Sequence, residues 1–135
     1  MLNIETARDM EPASHDGMPN DVLVVEDDPI IALDFEDTIL GFGVKMVRTA
    51  ANVAKALDMI ADRPPQFALL DVSLIHEKSF AVAERLQALE IPFAFVTGYG
   101  ADTRLPAAFA TKARLPKPYS TDALQALLKS RGFKP

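Results

Sequence analysis

The sequence predicts an α/β fold, a parallel sheet of five short strands with helices on both faces. Three observations carry that reading. Unbroken apolar runs recur along the chain, "VLVV" at 22–25, "FALLDV" at 67–72 and "FAFVT" at 93–97, and such runs mark strands covered on both sides. Segments with apolar residues at helical spacing separate them. Strands that alternate with helices imply a parallel sheet, because each crossover returns the chain to the same end of the sheet before the next strand begins.

Residues 1–20 mix acidic, small and turn-forming residues without a sustained period and read as a flexible leader before a domain at 21–135. The first strand covers 22–25. Asp28 then offers a capping carboxylate and Pro29 the first helical position, with Ile31, Phe35 and Ile39 as the buried face until Gly41 and Gly43 stop the helix. A second, less apolar strand is expected at 44–47. Asn52 caps the next helix, where Val53, Ala56, Leu57 and Ile60 follow the i, i+3, i+4, i+7 pattern before Pro64 and Pro65. The third strand is 67–72, and Ser79 opens a helix carrying Val82, Leu86 and Leu89. After the fourth strand, 93–97, the pattern falters. "GYGADTRLPAAFATK" supports at most a short or irregular fourth helix across 98–111. A fifth strand at 113–115 and a last helix from about Thr121, bearing Leu124, Leu127 and Leu128, complete the chain.

Composition narrows the function. With 135 residues, 49% hydrophobic and 24% charged, the chain is one ordinary globular domain in length. A formal net charge of -5 argues against nonspecific nucleic-acid binding, which needs cations to replace phosphate counterions. No cysteine is present, so thiolate catalysis, disulfides and cysteine metal sites are excluded. His15 and His76 are too far apart in sequence to favour a zinc site. No apolar run approaches the roughly 18 residues of a membrane span, and no export signal opens the chain, so the cytoplasm is the expected compartment. "GFG" at 41–43 precedes a strand and "GYGADT" lacks a third glycine, so neither is a dinucleotide loop.

In an open parallel sheet, ligands bind beyond the carboxyl ends of the strands, where strand order reverses. Strand one ends in Glu26, Asp27 and Asp28, strand three in Asp71, strand four in Thr97, and strand five in Lys117. All converge on one rim. Carboxylates held together repel and favour a hard cation among them, for which magnesium is the natural candidate. A nearby ammonium and hydroxyl would bind the other oxygens of a phosphoryl group that Asp71 receives as nucleophile.

"VLVVEDDP", "FALLDVSL", "FAFVTGYG" and "LPKP" resemble, in order and spacing, the signature segments of the response-regulator receiver domain, over about residues 21–131. The resemblance implies a flavodoxin-like (CheY-like) sheet of order 2-1-3-4-5, phosphorylated on one aspartate by a histidine kinase or a histidine phosphotransfer protein. It makes Asp71 the phosphoacceptor, Asp27 the direct Mg2+ ligand and Glu26 a ligand acting through water, with the backbone carbonyl of Ser73 completing the protein share of the metal site. Thr97 would bind a phosphoryl oxygen and move on activation. Lys117 would pair with the phosphoryl group, and the Lys117-Pro118 bond would be cis. Asp28 is then a helix cap, as the 44-residue spacing from Asp27 to Asp71 requires.

The chain departs from the common receiver pattern. Gly98 follows the threonine where alanine is usual, and Arg114 stands three positions before the lysine where an aromatic is usual. "PFAFVTGYG" is similar to a divergent alphaproteobacterial receiver subgroup in which Phe-Ala-Thr-Gly precedes tyrosine, with Val96 here in place of the alanine. By that resemblance, Tyr99 takes over aromatic switching and, with Ser73, tunes the lifetime of the phosphoaspartate.

A stand-alone signalling module is expected, neither an enzyme in its own right nor fused to an output domain. It would act through contact with an unknown downstream protein or as a phosphoryl sink. The alternative is a nonphosphorylated receiver-like interaction domain. A haloacid-dehalogenase-type phosphatase wants an acid two positions after the nucleophile, where Ser73 stands.

Overall fold

The computed structural model describes residues 17–98 and 105–130. Strands β1 (Asp21–Val25), β2 (Met46–Ala50), β3 (Phe67–Asp71), β4 (Phe93–Thr97) and β5 (Ala113–Pro116) form one sheet of order β2-β1-β3-β4-β5, and every neighbouring pair is parallel. The helices are α1 (Pro29–Gly41), α2 (Val53–Asp62), α3 (Phe80–Ala88) and α4 (Thr121–Ser130). β1, β3 and β4 are buried along their whole length, which is why they read as continuous apolar runs.

Side chains alternate between two cores. On one face, α1 and α4 press Phe35, Ile39, Leu124 and Leu128 against Val22, Val24, Leu69 and Val96. On the other, α2 and α3 press Ala56, Ile60, Val82 and Leu86 against Leu23, Leu70 and Phe95. Packing extends upstream of β1. Met18 is fully buried in the α1–α4 core, the Asn20 carbonyl accepts from Met46 N at 2.9 Å, and Asn20 N donates to Gln66 Oε1 at 2.5 Å.

The caps follow their chemistry. Asp28 Oδ1 accepts from Ile30 N and Ile31 N at 2.9 and 3.3 Å, and Asn52 Oδ1 accepts from Lys55 N at 2.8 Å. α1 ends before Gly43, whose φ of +101° a side chain would strain.

Two expectations need correction. The second strand lies at Met46–Ala50, not 44–47, because Val44 is a buried residue of the preceding turn. Leu89 is 40% exposed, because α3 ends at Ala88 before its period reaches that residue. Ser79 opens α3 as expected, its carbonyl accepting from Val82 N and Ala83 N at 3.1 Å, but its side chain makes no cap bond. Its N–H donates to Val72 O at 3.2 Å, and its buried hydroxyl has no partner among the described residues.

Between β4 and β5 the described residues hold one 3-10 turn, Ala107–Phe109, the short element expected there. Phe109 is 2% exposed and meets the rings of Phe80, Phe93 and Phe95 at centroid distances of 6.1, 6.2 and 5.7 Å. This aromatic cluster anchors the described part of the connection, whose regular structure is the one 3-10 turn.

Arg48 on the edge strand β2 closes the opposite end of the sheet. Its guanidinium pairs with both Asp21 oxygens at 3.1 and 3.0 Å and donates to Met59 O and Arg63 O at the C-terminus of α2. Arg48→Ala leaves a largely buried carboxylate unpaired, and a loss of about 3 kcal/mol is expected in urea denaturation.

Candidate functional site

β1 and β3 are the point where the strand order turns, and the loops beyond their carboxyl ends collect the acidic residues. Glu26 follows β1 directly and is 3% exposed. Its Oε2 accepts from Asp28 N at 3.2 Å. Asp27 Oδ2 accepts from Ile75 N, tying the β1–α1 loop to the β3–α3 loop. Asp71, the last residue of β3, is 7% exposed, and its Oδ1 accepts from Ser73 N at 3.1 Å.

Lys117 follows β5 and reaches back across the rim. Its Nζ donates to Asp71 Oδ2 at 3.0 Å and to Glu26 Oε1 at 3.1 Å. Its backbone N donates to Thr97 O at 2.9 Å, so the buried end of β4 holds the lysine in place. The Lys117-Pro118 peptide bond is cis. One carboxylate oxygen from each of Glu26, Asp27 and Asp71 lies within 4.8 Å of the others.

Glu26, Asp27, Asp71, Thr97 and Lys117 thus meet at one end of the sheet, while Asp28 serves as the α1 cap. Ser73 lies at the edge, bridged to Lys78, whose Nζ donates to Ser73 Oγ at 2.7 Å. Arg114 is an exposed residue of β5. Tyr99 lies outside the described residues. Sequence reasoning missed the Ile75 amide on Asp27 and the Lys78 tether. Neither leaves a signal, since one is a backbone group and the other an ordinary loop lysine.

Burial, reinforced by the charge of Asp71, pushes the Glu26 carboxyl from 4.5 up to about 7, against the opposing pull of the Asp28 amide and Lys117. Burial disfavours the Lys117 ammonium, but its hydrogen bonds to Asp71 and Glu26 outweigh that and raise its pKa. Lys117 therefore stays charged. One ammonium faces three carboxylates, and a set of hard oxygen donors left with excess negative charge fits a small divalent cation.

Glu26 also sets a pH dependence. Its folded value lies above its unfolded one, so its contribution to stability is complete below about 4.5 and is lost as pH rises through about 7. In a chelating buffer the urea midpoint is expected to fall between about pH 5 and about pH 8, and Glu26→Gln is expected to flatten that fall.

This geometry matches a known class. The family profile described as the response regulator receiver domain matches residues 22–129. The chain belongs to that family, a CheY-like signalling family of two-component systems. Over 121 residues it is 30% identical to the phyllosphere-induced regulator PhyR of Methylorubrum extorquens, with 87% of this chain aligned but only 40% of that protein's length. It superposes on SdrG from Sphingomonas melonis Fr1 with a TM-score of 0.71 and 39% identity, covering 81% of this chain and 92% of the other. The BeF3-activated conformation of SdrG from Pseudomonas melonis Fr1 gives 0.67 and 38%, covering 81% and 96%. Among the described residues no helix is long and apolar enough to cross a membrane.

Proposed function

We propose that this receiver domain is a phosphorylation-controlled module whose acceptor is Asp71, and that a histidine kinase or histidine phosphotransfer protein is the phosphoryl donor. The observation that carries the reading is the joint reach of Lys117 to Asp71 and Glu26, with Asp27 beside them. An isolated surface lysine would not span two buried carboxylates at strand ends.

In the proposed reaction an Asp71 carboxylate oxygen attacks the phosphorus of a phosphohistidine. A P–O bond forms, the P–N bond breaks, and the donor imidazole leaves with the electron pair. Glu26, Asp27, Asp71 and the Ser73 carbonyl would hold magnesium, which when bound neutralises charge on the phosphoryl oxygens. The Lys117 ammonium, now shared with Glu26, would turn to one phosphoryl oxygen, and the Thr97 hydroxyl would take another. Both movements draw on the same strand ends, since the Lys117 amide hangs from the Thr97 carbonyl. Phosphorylation is thereby coupled to the β4–β5 side of the domain. Tyr99 and Ser73 would tune access of water to the acyl phosphate, Ser73 from its tether to Lys78.

Output by contact with a downstream protein, or service as a phosphoryl sink, follows the same chemistry, in a cytoplasmic setting. Likeness to a receiver with a BeF3-activated conformation supports the reading and supplies its test. Beryllium fluoride with magnesium is expected to shift the amide resonances of residues 71–73, 97–98 and 117, and Asp71→Asn or a chelator is expected to abolish the shifts. Wild-type spectra unchanged by beryllium fluoride would favour a nonphosphorylated interaction domain.

A further inference from the structure

Lys117 is held from two sides, and only the Thr97 side belongs to the site residues already described. Two positions on, Tyr119 stacks on the buried Phe35 ring of α1, with centroids 4.6 Å apart and planes 13° from parallel. Its hydroxyl donates to Asp34 Oδ2 at 2.6 Å and lies 3.3 Å from Thr38 Oγ1. Burial and the Asp34 carboxylate both raise the phenol's pKa, so it remains a donor. The three residues 117–119 therefore form a strap across the rim, hung from Thr97 O at one end and clamped to α1 at the other. Beside it opens a cleft of ≈ 690 Å³ lined by Ile30, Ile31, Asp34, Thr38, Lys117 and Thr121, among others, so the strap has room to swing if the clamp is lost.

We propose that Tyr119 is a positioning residue for Lys117, its stack on Phe35 and hydrogen bond to Asp34 holding the strap so that the ammonium lies between Asp71 and Glu26. The consequence for phosphoryl recognition rests on the role proposed above for Lys117. The positioning itself does not.

Two readouts separate the proposal from a merely structural effect. The first is affinity for beryllium fluoride in saturating magnesium, compared with affinity for magnesium alone. Tyr119→Phe, which keeps the stack, is expected to weaken beryllium fluoride binding about threefold, and Tyr119→Leu about tenfold or more, the scale of one to two lost weak contacts. Magnesium affinity is expected to stay unchanged or rise, because the competing ammonium is less well placed. In a Lys117→Ala background Tyr119→Leu is expected to add no further loss, the signature of residues acting as one unit. Equal weakening of both ligands, or full additivity with Lys117→Ala, would overturn the proposal.

The second readout is the Lys117 ammonium signal in the free protein, which stands even where beryllium fluoride fails to bind and the phosphoacceptor reading falls. It is expected to move toward a solvent-exposed lysine signal in Tyr119→Leu and part of the way in Tyr119→Phe. An unmoved signal in both would overturn the proposal. Should Tyr119→Leu not fold, Tyr119→Phe and Asp34→Ala serve in its place, since the first removes the phenol hydroxyl and the second its carboxylate acceptor while both keep the stack on Phe35.

Discussion

Asp71→Asn is expected to abolish the single phosphoryl adduct that acetyl phosphate and magnesium should give with the wild-type chain, read by intact-protein mass. The carboxylate sits at the carboxyl end of a fully buried strand and is held by Ser73 N through one oxygen and by Lys117 through the other. An amide keeps the shape and a single oxygen acceptor, but it is no nucleophile. The fold is therefore expected to survive while the chemistry stops. Glu26→Gln and Lys117→Ala should slow the reaction without abolishing it, because they alter the surroundings of an intact acceptor. An adduct of equal yield in Asp71→Asn would move the acceptor elsewhere.

Phe109→Ala is expected to cost about 3–5 kcal/mol, the range for emptying a buried aromatic site. Phe109 is almost fully buried against three other rings, and the 3-10 turn that carries it is too short to stabilise itself. The urea midpoint should fall with little change in slope. A loss under about 1 kcal/mol would mean that the turn opens independently of the sheet, so that the β4–β5 connection is a separate local unit.

How far the sequence could be read follows from the physics of each element. Glu26, Asp27, Asp71, Thr97 and Lys117 were legible as a group because a parallel sheet sends every strand's carboxyl end to one rim. The inner strands were legible because burial on both faces leaves continuous apolar runs. β2 was misplaced because it is an edge strand of mixed exposure, with Arg48 and Thr49 in its middle, while the buried Val44 just before it mimics a strand start. Arg48 reads as a surface residue until Asp21 and the carbonyls of α2 are seen around it. The irregular connection was legible as a missing period, but its anchor was not, since one phenylalanine among alanines shows no pattern. Tyr119 escaped notice for a related reason. Its partners Asp34, Phe35 and Thr38 lie on the first helix, nearly the whole domain away in sequence.

Asp71, among several clustered acids, is the residue proposed to form the acyl phosphate. Borohydride reduction after phosphotransfer from a phosphorylated histidine donor converts an aspartyl phosphate to homoserine, and peptide mass mapping locates it. Homoserine is expected at position 71 alone, dependent on magnesium. Reduction at Asp27 or another acid, or none while the donor loses its phosphoryl group to this chain, would contradict it.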